Sequence, residues 1–172
     1  MTWALAGAQL WDEAEDFVAQ IPDRHEQAES ASLLAGRLLD SGRLTAAARL
    51  LRLAQPGGER DRKYVRLAEQ LDEFDSWDET RAAITAVDTS EMQAAALDSH
   101  LRRLAAACRE ATGETRTYLE GLTRSLVAEI VVTRGSLQPV GMGAAALPEE
   151  AQAAAWAAYR LIGLLTGESP QT

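Results

Sequence analysis

The chain has 172 residues and a formal net charge of −9, and it is long enough to bury the core of one domain. Its composition of 47% hydrophobic and 25% charged residues is typical of folded globular proteins and argues against disorder. The negative charge argues against a nucleic-acid ligand, because phosphate binding needs a clustered positive surface, and the basic segment 60–66 is interleaved with acidic residues.

Cysteine content and hydropathy limit the cellular context. The single cysteine, Cys108, excludes an intrachain disulfide and a zinc site built from cysteines, and its apolar surroundings predict a small buried residue rather than a nucleophile. The sequence shows neither a charged-then-apolar N-terminal signal nor an apolar run long enough to span a bilayer, so we expect a cytoplasmic protein without a membrane partner. Lys63 is the only lysine, a bias typical of GC-rich genomes that favours a bacterial source.

Apolar residues at helical spacing predict a series of short helices in the first half of the chain. Residues 1–9 are interpreted as the second part of a first helix. Turn residues at 41–42 and 55–58 separate later helices, and Gly42 suits the left-handed residue that often follows a helix. The predicted helices that follow are 11–20, 25–40, 44–54, 60–74 and 77–87.

One segment of this series recurs at a constant spacing, which is called the repeat period below. The segment 42–54 has one counterpart that contains Trp-Asp-Glu at 11–13 and another that contains Trp-Asp-Glu at 77–79. A fixed period of this size, about 33 residues, is typical of stacked helical hairpins. Antiparallel helices need small residues where their backbones approach, and Ala35, Ala47 and Ala68 have suitable positions.

The side chains within this repeat resemble the tetratricopeptide pattern of large and small residues. The matching positions are Ala31, Leu34, Ala35 and Leu38 followed by Ala47 and Leu51, and then Tyr64, Leu67, Ala68 and Leu71 followed by Thr80 and Ile84. The resemblance covers residues 1–88. It implies an all-α fold in which antiparallel hairpins stack as a short right-handed α-solenoid.

Beyond residue 88 the period fails and longer elements are predicted. Helices at 91–112 and 114–133, separated by Gly113, would form an enlarged last hairpin, and an apolar helix would begin at Pro148. The whole chain would then hold eight to nine helices in one continuous domain. Its segments are the repeats 1–88, the enlarged hairpin 89–134, a loop 135–147 and a terminal packing helix 148–166.

No residue pattern predicts a catalytic, cofactor or metal site. The segment 141–146 superficially resembles a glycine-rich phosphate turn, but no strand is predicted before it. His25 and His100 lack a second ligand at metal spacing and are predicted to lie on the surface. The acidic residues between 69 and 79 lack the spacing of a calcium loop, which favours a solvated face. We therefore expect a non-enzymatic protein.

The resemblance also implies where a partner would bind. In tetratricopeptide proteins the first helices of successive hairpins line a concave groove that takes an extended peptide or a partner helix. The corresponding positions are mostly acidic or small, so we expect a partner of basic or mixed charge. These positions are Glu29, Ser32, Gly36, Leu39 and Asp40 in one hairpin and Arg62, Val65, Glu69, Asp72 and Glu73 in the next.

Three functional hypotheses follow. The first is an adaptor or scaffold module that binds a protein or peptide through this groove. The second is a structural or homo-oligomerisation domain, part of a larger multidomain bacterial protein, whose surface is the terminal helix with Trp156, Tyr159 and Arg160. The third is an enzyme or small-ligand domain that uses the loop near 134–147.

Overall fold

The computed structural model describes residues 10–134, with side chains as far as residue 126. This part of the chain contains seven helices and no strand. The helices are α1 (Trp11–Ala19), α2 (Arg24–Asp40), α3 (Leu44–Leu51), α4 (Gly58–Glu73), α5 (Trp77–Thr85), α6 (Ser90–Glu110) and α7 (Gly113–Arg134). The helix predicted at 1–9, the loop 135–147 and the terminal helix with Trp156, Tyr159 and Arg160 lie outside the described residues.

The seven helices predicted within 11–133 are all present, and their ends differ from the prediction by a few residues. The largest difference is in α3, which ends at Leu51 instead of continuing to Ala54. After Leu51 the chain continues as a tighter turn, in which the Leu53 N–H donates to the Leu50 carbonyl at 2.9 Å. Ala54 nevertheless stays buried, at 4% exposure, so the turn after α3 still contributes to the core.

The second helix of each predicted hairpin begins with the same backbone geometry. The helices α1, α3 and α5 begin one repeat period apart, at Trp11, Leu44 and Trp77. The residues just before them have φ and ψ of −86° and 70°, −87° and 66°, and −85° and 64°. Each of these three residues accepts a backbone hydrogen bond, of 3.1, 3.0 and 2.9 Å, from the residue four positions later. The period in the sequence is therefore a period of backbone conformation.

The turns before α3 and α5 close in the same way. Gly42 and Asp75, one repeat period apart, both have a left-handed φ, of 70° and 55°. The next residue in each turn donates a backbone hydrogen bond to the carbonyl five positions earlier, from Arg43 to Leu38 at 2.8 Å and from Ser76 to Leu71 at 3.1 Å. This pattern is the Schellman motif, which ends a helix and reverses the chain within a few residues. The two helices of a hairpin can then lie against each other.

The core of this region repeats the same spacing. A small residue in each second helix is fully buried, and a larger buried residue follows one turn later. The small residues are Ala14, Ala47 and Thr80, and the larger ones are Val18, Leu51 and Ile84. Thr80 remains compatible with burial because its hydroxyl donates to the Ser76 carbonyl at 3.0 Å. Contacts join α1 with α2, α2 with α3, α3 with α4, α4 with α5, and α2 with α4.

Glutamine side chains link the start of two first helices to the end of the helix before them. The Gln27 amide nitrogen donates to the carbonyls of Val18 and Ala19, at 3.2 and 3.3 Å. The Gln93 amide nitrogen, two repeat periods later, donates to the carbonyls at 84 and 85, at 3.3 and 3.4 Å. The intermediate copy has Arg60 at this position, which pairs with Asp88 instead. The carbonyls of Val18 and Ile84 also accept backbone bonds from Ile21 and Val87, so each glutamine adds a side-chain donor at a helix end, where backbone donors are few.

The chain divides into two compact units, Met1–Ala96 and Leu97–Thr172, and the division falls inside α6. In the described part of the second unit, the later turns of α6 and the first turns of α7 each bury an apolar face. The buried residues are Leu101, Leu104, Ala105, Cys108, Leu119 and Leu126. Gly113, at the start of α7, has a left-handed φ of 60°, which agrees with the predicted break.

The left-handed turn before α3 can be tested with two glycine substitutions. Gly42→Ala should lower the free energy of unfolding by about 1–2 kcal/mol, because a Cβ is strained at a left-handed φ. Gly36→Ala, inside α2, should raise it by about 0.5–1 kcal/mol, because alanine favours the helix. The new Cβ at Gly36 would lie 3.6 Å from Lys63 Cε, which is ordinary van der Waals contact. Urea unfolding measures both changes in free energy. Equal effects of the two substitutions would contradict the left-handed conformation of Gly42.

Candidate functional site

The predicted groove residues lie on α2 and α4, which contact each other, and most of them face solvent. The exposed side chains are Glu29, Asp40, Arg62, Glu69 and Glu73, and the half-buried positions are Ser32, Gly36 and Val65. These eight positions are called the groove face below.

Leu39 and Asp72 do not belong to the groove face. Leu39 is 0% exposed and Asp72 is 6% exposed, so neither side chain is part of the exposed surface on which it was predicted to lie. Leu39 follows the buried Ala35 by four residues, and Asp72 follows the buried Ala68 by four. Residues four apart share one face of a helix, so both side chains turn toward the core.

Three side-chain bonds fasten α2 to α4 along the groove face. The Lys63 ammonium donates to the Ser32 hydroxyl at 2.7 Å, and the Arg66 guanidinium donates to the Asp40 carboxylate at 2.7 Å. The Gln70 amide donates to the Leu39 carbonyl at 3.3 Å. Two predicted groove residues, Ser32 and Asp40, are therefore engaged within the protein.

The basic side chains of the segment 60–66 form ion pairs with acidic residues. Lys63 and Arg62 both pair with Glu59, at 2.9 and 3.7 Å, and Arg66 pairs with Asp40. The hydrogen bond and charge of Lys63 hold the pKa of the Glu59 carboxyl below its usual value. The positive charges are thus neutralised locally.

The acidic charge of the groove face is not neutralised in the same way. Within the described residues, Glu29, Glu69 and Glu73 form no ion pair, and all three are exposed. The groove face therefore has an excess of negative charge.

Leu33 is a member of this surface that the sequence prediction missed. Its side chain is 46% exposed on α2, between the turns that carry Glu29 and Gly36. Its spacing from the buried positions Ala31 and Leu34 did not fit the apolar stripe, and this mismatch is the signal that could have identified it. Leu33 and the half-buried Val65 give the groove face an apolar component beside its carboxylates.

Asp61 is a buried carboxylate, the type of group that catalysis often uses, but its hydrogen bonds have a structural role. It is 0% exposed, and it accepts bonds from the backbone N–H groups of Asp88 and Thr89 at 3.2 and 2.9 Å. The Thr89 hydroxyl also donates to it. Burial alone would raise the pKa of the Asp61 carboxyl, but these bonds outweigh it and lower the pKa below its ordinary value. Asp61 thus holds the chain at the start of α6.

Two further residues with reactive side chains are buried in the second unit. Cys108 is 1% exposed, as predicted, and burial raises the pKa of its thiol, so the less reactive protonated form is favoured. His100 is 2% exposed, so the prediction of a surface histidine is wrong for this residue. It precedes the buried Leu104 by four residues, so the two side chains share one side of α6. His25 is exposed, and its Nδ1 lies 2.9 Å from the Gln55 amide nitrogen.

A cavity of about 280 Å³ lies between α3, α4 and α5. On α4 it is lined by Tyr64, Leu67 and Leu71, which lie on the side of the helix opposite the groove face. Its other walls come from the second helices of two hairpins. The lining residues on those helices include Ala48, Arg52, Ala82 and Ala83.

Comparison of the chain with protein families, with characterised proteins and with solved structures gives no match. Among the side chains that the structure describes, residues 10–126, there is no group of three from histidine, cysteine, aspartate or glutamate placed to hold a metal ion. None of the helices described has the length and apolar character needed to cross a membrane.

The structural role of Asp61 predicts a specific pH dependence. Asp61→Asn should lower the free energy of unfolding by about 2 kcal/mol at neutral pH, because the amide cannot accept all three hydrogen bonds. Since folding lowers the pKa of this carboxyl, its contribution is complete above about pH 5 and is lost as the pH falls below about 4. The stability difference between the two proteins should therefore shrink in acid, as measured by urea unfolding across this range. Glu29→Gln, at an exposed carboxylate on α2, should show no such difference at any pH.

Proposed function

We propose that the chain is a tetratricopeptide-like repeat module in which successive hairpins stack as a right-handed α-solenoid. The observation that carries this proposal is the recurrence, at each repeat period, of one backbone geometry before α1, α3 and α5. The left-handed turns at Gly42 and Asp75 and the fully buried small residues recur with the same spacing. Recurrence of a complete supersecondary unit is what a repeat array requires.

The helix contacts support the stacked arrangement. The pairs α2 with α3 and α4 with α5 are the two helices of single hairpins, and α3 with α4 joins consecutive hairpins. The contact between α2 and α4 brings two first helices side by side. Such side-by-side first helices would form one continuous surface along the array.

We propose that this surface binds a protein or peptide segment, and that the module acts as a non-enzymatic adaptor or scaffold. Glu29, Glu69 and Glu73 supply exposed negative charge, and Leu33 and Val65 supply apolar contact area. A segment that alternates basic and apolar side chains would match this combination. The buried thiol of Cys108 is compatible with the reducing cytoplasm, where we propose that the module acts.

The test is a selection of peptides from a random library on the intact immobilised chain. The recovered peptides should be enriched in arginine and lysine, and their affinity should fall with salt, because screening weakens interactions between exposed charges. The double substitution Glu69→Arg/Glu73→Arg should weaken binding of the recovered peptides by at least about ten-fold, because like charges then face each other. Fluorescence anisotropy measures both effects.

The control is Glu13→Arg/Asp16→Arg on α1, which makes the same change in net charge at exposed positions outside the groove face. This variant should retain binding within about two-fold, since distant exposed charges are largely screened. If both variants lost affinity equally, the effect would come from net charge and the proposed surface would be wrong. A selection without basic enrichment would contradict the proposed ligand chemistry.

A further inference from the structure

Four of the residues that line the cavity between α3, α4 and α5 are smaller than the residues one repeat period earlier. Between α1 and α3, Glu15 and Arg49 form an ion pair of 2.9 Å that spans the two helices. The positions one repeat period later are Ala48 and Ala82, and both line the cavity. The ion pair that spans α1 and α3 therefore has no counterpart between α3 and α5.

Two leucines are replaced in the same way. Leu50 is 3% exposed and Leu53 is 44% exposed, and their counterparts one repeat period later are Ala83 and Ala86, which also line the cavity. Four of the lining positions are thus alanines where the sequence has larger residues one repeat period earlier. The cavity has a volume of about 280 Å³ and mainly apolar walls. An apolar cavity of roughly 150 Å³ is enough to admit benzene, so this cavity has room for a ring and a short chain.

Two hydrogen-bond donors that have no partner within the described residues lie at the cavity. Tyr64 lines it, and in this part of the chain its hydroxyl forms no hydrogen bond. Arg52 also lines it and has no ion pair with any described residue. The neighbouring Arg49, by contrast, is paired with Glu15. Arg52 is exposed and Tyr64 is buried, and donors on two residues beside mainly apolar walls favour a ligand with one acceptor group and an apolar body.

The cavity wall carries Arg52, Glu79 and the paired Arg49, and of these Arg52 is the residue that favours a carboxylate as that acceptor. Arg52 is permanently cationic and fits the geometry of a carboxylate. Burial raises the pKa of the Tyr64 phenol, although the charges of Arg60 and Arg52 act in the opposite direction, so the hydroxyl stays a donor at neutral pH. Glu79, on the wall formed by α5, would repel a carboxylate and thereby direct it toward α3.

We propose that this cavity binds a small organic carboxylate with a compact apolar body, such as an arylalkanoic acid. The apolar body lies against Ala48, Leu67 and Ala83, and the carboxylate accepts hydrogen bonds from Arg52 and Tyr64. The site is separate from the groove face, on the opposite side of α4. It is independent of the proposed interaction with a peptide.

The test compares 3-phenylpropionate with its neutral isostere 3-phenylpropionamide in titrations of the intact chain, monitored by two-dimensional NMR. The carboxylate should bind at least about ten-fold more tightly, because a charge-assisted hydrogen bond is stronger than a neutral one. The amide signals that shift should be those of residues in α3 and α5. Arg52→Gln should remove this preference and leave the affinity for the amide unchanged. Arg62→Gln, on the groove face, is the matched control and should bind both compounds as the wild type does.

A second variant tests the cavity itself. Ala48→Glu/Ala82→Arg installs the ion pair of the preceding copy and fills the space, so both compounds should lose binding. Position 82 is exposed and position 48 is half-buried, and thermal unfolding should show that the fold is retained. Equal affinities of the wild type for the two compounds, or no binding of either, would overturn the proposal. Binding that persists in the filled variant, or signals that shift only at residues that do not line the cavity, would overturn it as well.

Discussion

Two antiparallel helices can approach closely only where the side chains between them are small, and this requirement controls the first unit of the chain. Ala14, Ala47 and Thr80 meet it at intervals of one repeat period, each with 0% exposure. A close approach in turn needs a short turn, so the backbone must reverse within a few residues. The left-handed conformations of Gly42 and Asp75 provide that reversal. The turn, the small residue and its larger neighbour therefore recur together for one physical reason, the close packing of the two helices in each hairpin.

The sequence predicted most of this architecture because helical periodicity and turn chemistry are local signals. The seven helices and the special role of Gly42 could be recognised before the structure was known. The width of the buried face of each helix could not be recognised from the sequence, since it depends on how many neighbouring helices that helix contacts. The first helices α2 and α4 contact helices of more than one hairpin, and this explains why Leu39 and Asp72 are buried. The same limit applies to His100, which lies beside the apolar stripe of α6.

The side-chain contacts of the groove face were predicted less completely than the helices. Glu29, Glu69 and Glu73 are exposed, but the bonds of Lys63 and Arg66 across the groove face depend on the distance between two helices. The cavity was missed altogether, because alanines such as Ala48 and Ala82 look like ordinary packing residues. Only a comparison with the positions one repeat period earlier, which hold an ion pair, shows that these alanines replace larger side chains.

The glutamine links described above determine which parts of a hairpin are free to diverge. Gln27 and Gln93 bind carbonyl oxygens of the preceding helix, and every amino acid supplies such a carbonyl. At these two of the three copies, the link therefore needs a glutamine on one helix and only a helix of the right length before it, whereas the copy with Arg60 uses a charge pair with Asp88. If the last helix of a hairpin has the right length, the same first helix can follow it, whatever residues the hairpin exposes. Mutation can thus change the exposed residues of one hairpin without requiring a compensating change at the link to the next.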